Sequence, residues 1–172
     1  MNTQIPNRKK WIVFSVVALV AALVILAGSY VLLQNSRENA EPFKPALITA
    51  RIISEMNRTD LAEVSGSQLS KHYDIPDGVI IDSSLYMSRS SDSASELACF
   101  YLADKSQFAQ LQAAVTGHLN SKAAGFKSLN PAQYNALKNA SVTQKGRYVL
   151  VSVGSNPAAD AKLFNEILKA YP

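Results

Sequence analysis

Cysteine occurs once in the 172 residues, tryptophan once and histidine twice, and these scarcities limit the chemistry that the chain can carry. A lone Cys99 forms no internal disulfide, and its setting in LACFYL makes it a small apolar core residue rather than a reactive thiol. His72 and His118 do not form an HExxH pair, and there is no CxxC, no phosphate-binding glycine loop and no GxSxG turn. The strong catalytic and cofactor motifs are therefore empty, and no cofactor is expected. Acidic residues are missing from the first 37 positions: all 13 follow the apolar run described below, whereas Arg8, Lys9 and Lys10 precede it. Beyond that run 14 basic residues face 13 acidic ones, so the overall charge of +4 is mostly a topology signal. Without a basic surface on the folded part, nucleic acid is not a partner.

What the chain does have is the uncharged run Trp11–Leu33, 23 residues long. At about 1.5 Å per residue a helix of that length reaches roughly 34 Å, enough to cross a hydrocarbon core of about 30 Å. Within it LVILAGSYVLL nearly spells a lipoprotein processing site, but Ser29 stands where the lipid-bearing cysteine would be. Lipidation at Ser29 is excluded because the linkage needs a thiol. A cleaved signal carries an apolar stretch of only about 7–15 residues ending at small residues, and this run resumes after its small cluster as Tyr30, Val31, Leu32 and Leu33. Retention as a signal anchor is favoured over cleavage near Ser29. The basic flank places the N-terminus inside, with Trp11 and Tyr30 near the two interfaces. The expected organisation is a cytoplasmic segment at 1–10, a transmembrane helix at 11–33 in contact with the lipid bilayer, a polar tether at 34–44 and an extracytoplasmic domain at 45–172.

That outer domain is long enough to bury its own core without metal or disulfides. The spacing of Leu47, Ile48, Ile52 and Met56 predicts a helix over 45–59, followed by a helical turn around Ser67–Tyr73. GVIIDSSLYMS and ELACFYL read as a hairpin whose serine-rich connection SRSSDSAS is a solvated, mobile loop. Asp104 and Gln107 form a capping box ahead of a long helix with Phe108, Leu111, Val115 and Leu119 on one face, stopped by Gly125. Asn130-Pro131 and Asn156-Pro157 each pair a capping residue with proline at the first helical position, and so open two further helices. Between them ASVTQ and RYVLVSV flank a turn at Lys145-Gly146. The order is that of an α+β domain: an antiparallel sheet of about four strands with helices packed mainly on one face.

Most of 45–170 resembles a bacterial family known as domain of unknown function forty-three fifty-eight. The resemblance is carried by LSKHYDI, SASELACF, FKSLNPAQY, KGRYVLVSV and the final helix, with Glu96, Pro131, Tyr134, Gly146 and Tyr148 at matching positions. It implies a short lipoprotein or single-span protein facing away from the cytoplasm, and implies no activity. Two departures stand out: Leu129 where an aromatic residue is common, and Ser29 where lipoprotein-type members place cysteine.

Two function classes remain. A tethered module binding a small ligand or an envelope protein is favoured over a hydrolase or transferase of envelope components, because no nucleophile or acid/base pair is evident. The candidate ligand or partner residues are Glu96, Tyr134, Tyr148, His72 and Asp74, and the discriminating observation is whether His72, Asp74 and Glu96 converge in a pocket. Tyr73, Tyr86, Tyr101, Tyr134 and Tyr148 could supply an aromatic patch, although tyrosines alternating with aliphatics usually line a core. His118, beside the apolar face of the long helix, reads as a structural histidine. Asp74, Asp77 and Asp82 lack the ligand spacing of a calcium loop. Glu96 opens a strand with apolar residues on both faces; alternation puts it beside Ala98, Phe100 and Leu102, and a buried carboxylate there needs partners from a hairpin loop or a helix end.

Overall fold

The computed structural model describes residues 43–170, so the apolar run at 11–33 and its flanks lie outside the described residues. Among the described residues no helix is long and apolar enough to cross a membrane. Helix α1, Pro45–Glu55, starts on a proline suited to its first turn and buries Ile48, Thr49 and Ile52 along one stripe. It ends four residues before the expected 59, because Asn57 takes a left-handed backbone conformation with φ 50° that no right-handed helix continues. Strand β1, Leu61–Val64, follows, then a short 3₁₀ helix at Gly66–Lys71.

Strands β2, Ile80–Ser88, and β3, Glu96–Leu102, form the expected hairpin, with Leu85 opposite Ala98 and Met87 opposite Glu96. The capping box is present: Asp104 accepts from the Ser106 amide and Gln107 reaches back to the Asp104 amide, opening a 3₁₀ turn that leads into α2, Phe108–Phe126. Helix α3, Pro131–Lys138, is capped by the Asn130 side chain, and α4, Pro157–Ala170, begins beside Asn156, which accepts from the Ala159 amide. Between them β4, Ser141–Lys145, and β5, Tyr148–Val153, turn through Gly146-Arg147. Gly146 holds φ 61° while Arg147 does not, so the glycine sits at the first central position of a hairpin turn that demands it.

The sheet has five antiparallel strands in the order β1-β2-β3-β5-β4, one more than expected. The additional strand is LAEV, and Ala and Glu give little strand signal. The helices also cover both faces rather than mainly one. On one face α1 and α4 bring Ile48, Ile52, Phe164 and Ile167 against Leu97, Cys99 and Leu150. On the other, Leu111 and Val115 of α2 pack on Ala98, Phe100, Leu102, Val149 and Val151. All seven residues of β3 are buried, as a strand with apolar side chains on both sides must be. Each fully buried Leu, Ile or Phe contributes about 1.5–3 kcal/mol, so both faces matter to stability.

Polar groups inside this frame are paired. Thr49 of α1 and Ser84 of β2 share a hydrogen bond of 2.7 Å under the first helix layer. Asp160 of α4 takes the Arg58 guanidinium at 2.7 Å and the Ser152 hydroxyl at 2.6 Å, while Arg58 also donates to the Val153 carbonyl at 2.9 Å. That triad fastens the link between α1 and β1 to the end of β5 and the start of α4. Gly154 lies directly against it: a Cβ there would come within 2.9 Å of the Arg58 Nη2. The serine-rich connection is fixed to the α3 end at two points, the Ala94 amide donating to Gln133 at 2.8 Å and Asn130 to the Asp92 carbonyl at 3.4 Å.

Candidate functional site

Glu96 stands at the first position of β3, fully buried, and alternation aims its carboxylate at the α2 face. Tyr73, just after the 3₁₀ helix, donates its hydroxyl to Oε1. From α2, one turn apart, His118 Nε2 lies 2.9 Å and Lys122 Nζ 2.6 Å from Oε2. The His118 ring stacks on Tyr73 with centroids 4.2 Å apart, and His72 meets His118 edge-on at 6.5 Å. The acid does have the partners that its burial demands. They come from the middle of a helix and a turn residue, not from the serine-rich hairpin.

Burial alone would raise the Glu96 pKa, but the His118 hydrogen bond and the adjacent Lys122 charge outweigh it and hold the carboxyl at about 2. Glu96 is therefore ionised and accepts from three donors. An ionised carboxylate can only accept, so His118 Nε2 carries a proton. The Tyr73 phenol moves the opposite way: burial, then the Glu96 charge, push it well above its ordinary range, and it remains a donor.

Directly outside this cluster lies an open cleft of about 940 Å³ between α2 and the segment leaving the 3₁₀ helix. Lys71, His72 and Asp74 form one wall, and His118, Ser121 and Lys122 of α2 form the other. Ala113, Ala114 and Gly117 make the helix wall shallow, and a Cβ on Gly117 would meet nothing within 4 Å. Two of the expected residues, His72 and Asp74, thus share the cleft. Glu96 does not line it but lies behind its wall, holding two of its lining residues. Tyr134 sits instead in a separate cluster with Ala94, Ala123, Leu137 and Val153. Tyr148 is on the opposite sheet face, stacked on Tyr101 at 4.7 Å, its hydroxyl pushed up to about 12 chiefly by burial. Of the five tyrosines considered for a patch, Tyr73 and Tyr134 lie in separate clusters, whereas Tyr86 and Tyr148 share a third and Tyr101 stacks on Tyr148. His118 and Lys122, two essential parts of this arrangement, were not evident as site residues. Their signal is the four-residue spacing on the helix that covers Glu96.

Cys99 is buried, and its surroundings, chiefly desolvation, push its thiol pKa up, which keeps it unreactive. Among the described residues no three His, Cys, Asp or Glu side chains are grouped to hold a metal ion.

A small α+β domain with a buried carboxylate behind a polar cleft is the class that these features define. Residues 54–154 match the family described as domain of unknown function (DUF4358), and the chain belongs to that family. The match begins in the last turn of α1 and ends just after β5, so it takes in the whole sheet and both sides of the cleft but not α4. No curated protein and no solved structure matches the chain.

Proposed function

We propose that this chain is a membrane-anchored, extracytoplasmic binding module of the bacterial cell envelope, and that its ligand site is the cleft along α2. The anchor is the uncharged 11–33 segment, oriented by Arg8, Lys9 and Lys10. The observation that carries the binding reading is a contrast in satisfaction. Behind the cleft every oxygen of Glu96 is engaged, whereas within it the side chains of Lys71, His72, Asp74, Gln110 and Ser121 make no hydrogen bond to described residues. Polar groups gathered in a concavity without protein partners suit an occupant that supplies them.

A hydrolase or transferase reading has less support. Glu96, held at about 2, takes up no proton near neutrality. Ser121, the only hydroxyl on the cleft among the described residues, makes no hydrogen bond to His118 that would activate it.

The test uses the full chain in lipid nanodiscs and a set of small polar probes read by NMR at the His72 and His118 rings. Probes should shift both rings in the wild type and neither in Gly117→Leu, whose side chain grows into open cleft space. Equal shifts in both proteins would remove the cleft as the binding site. For the anchor, a reporter fused after residue 172 should be active outside the membrane and the chain should resist carbonate extraction. A soluble product starting near Tyr30 would overturn that part.

A further inference from the structure

The donor and acceptor content of the cleft specifies more than binding. Lys71, His72, Gln110, Ser121 and Lys122 all offer hydrogens, while Asp74 is the one carboxylate on the lining among the described residues. His118 adds a second observation. Its side chain is only 8% exposed and spends Nε2 on Glu96, yet Nδ1 has no hydrogen-bond partner among the described residues. No buried side-chain nitrogen or oxygen is left unsatisfied among those residues, so the Nδ1 lone pair is open to a hydrogen donor elsewhere on the ligand. Lys122 is in a similar position: one of its three hydrogens goes to Glu96, and its side chain, 16% exposed, reaches the cleft.

The geometry points to a site for an anionic group, a carboxylate or a phosphate, seated on Lys122 with Lys71 and His72 at the mouth and the His118 ring beside it. This rests on the cleft being the binding site. Glu96 is then a positioning residue: it fixes the ammonium from behind, so that the two remaining hydrogens of Lys122 are presented without side-chain ordering at the moment of binding. The flat wall at Gly117 lets the remainder of the ligand lie close to the α2 backbone. An excess of donors with the pinned Lys122 ammonium and the Lys71 ammonium at the mouth selects against an uncharged isostere, since the groups satisfied by an anion would face one weaker acceptor.

The experiment titrates the full chain in neutral-lipid nanodiscs with sodium acetate, sodium methyl phosphate and acetamide at constant ionic strength, following the His72 and His118 ring resonances. Acetate or methyl phosphate should produce saturable shifts, the stronger of the two identifying carboxylate or phosphate as the preferred group, and acetamide should produce none below tenfold higher concentration. Lys71→Gln, an exposed change that leaves the Glu96 cluster intact, should weaken binding by about threefold or more, and Lys122→Met by tenfold or more. Acetamide shifts equal to those of acetate would overturn the anion assignment while leaving the cleft as a binding site. Unchanged anion affinity in Lys71→Gln and in a folded Lys122→Met would overturn it too. If no probe of any charge moves either ring, the binding reading itself falls.

Discussion

The Glu96 carboxylate and the Lys122 ammonium lie 2.6 Å apart, the acid fully buried and the base mostly so. An ion pair in that position contributes little compared with apolar packing, but removing one member is strongly unfavourable because the other is left without compensation. It is therefore a place where the link between sheet and helix α2 can be weakened with a single atom changed, the apolar packing of Leu111 and Val115 remaining.

Glu96→Gln keeps the volume and removes the charge that Tyr73, His118 and Lys122 all address. The loss of charged hydrogen bonds should lower stability by roughly 1–3 kcal/mol. Urea denaturation of wild type and variant measures it, and an unchanged midpoint would show that Glu96 does not hold α2 to the sheet.

The same carboxylate gives the domain an acid-sensitive component. Its folded pKa of about 2 lies below the ordinary 4.5, so its stabilisation is complete above the ordinary value and is lost as pH falls from about 4.5 to about 2. The size is on the order of 3 kcal/mol. Asp92 and Asp104 are exposed carboxylates lowered by serine hydrogen bonds, and they add to any acid effect. The diagnostic quantity is therefore the difference between wild type and Glu96→Gln, which should shrink through that window when melts are compared from pH 7 down to pH 2.

Two glycines should respond oppositely to alanine. At Gly154 the new Cβ meets Arg58, whose guanidinium cannot retreat without leaving Asp160 and the Val153 carbonyl, so a loss of about 1–3 kcal/mol is expected. At Gly117, within α2 and open to the cleft, alanine should gain roughly 0.5–1 kcal/mol of helix stability. Thermal melts of the pair test both signs in one experiment.

The buried and exposed ion pairs should also differ. Asp160→Asn leaves the Arg58 guanidinium, itself nearly buried, without its close anion, and the cost is about 3–5 kcal/mol, eased by Asp60 at 3.7 Å. Glu55→Gln disturbs a surface pair with Arg51 and should change stability by about 0.5 kcal/mol or less. Comparable effects at the two positions would contradict this assignment of Arg58 and Asp160.

Local grammar was readable in the sequence. The Asp104–Gln107 capping box and the two Asn-Pro helix starts specify their geometry within four residues, and the turn expected at Lys145-Gly146 lies one residue later, at Gly146-Arg147. So was the division of β3 into a Glu96, Ala98, Phe100 face and a Leu97, Cys99 face. The side of the sheet taken by each helix was not readable, because an apolar stripe on α1 fits either face of a strand that is apolar on both. Strand β1 was missed since LAEV owes its conformation to pairing with β2 rather than to its own residues. At the site, burial of Glu96 followed from its apolar neighbours, but its partners lie 22 to 26 residues away in chain order, and that encounter is a property of packing.

The sheet order carries a consequence for how the chain reaches this state. Each hairpin closes locally, whereas the β3–β5 ladder joins residues about fifty positions apart and must wait for that loop to close. During synthesis β3 emerges well before its second neighbour and holds an unpaired edge between two apolar faces until residues 148–153 arrive. A chain truncated before that point presents a strand template to other copies, so incomplete versions of this domain should assemble with one another rather than stay dispersed.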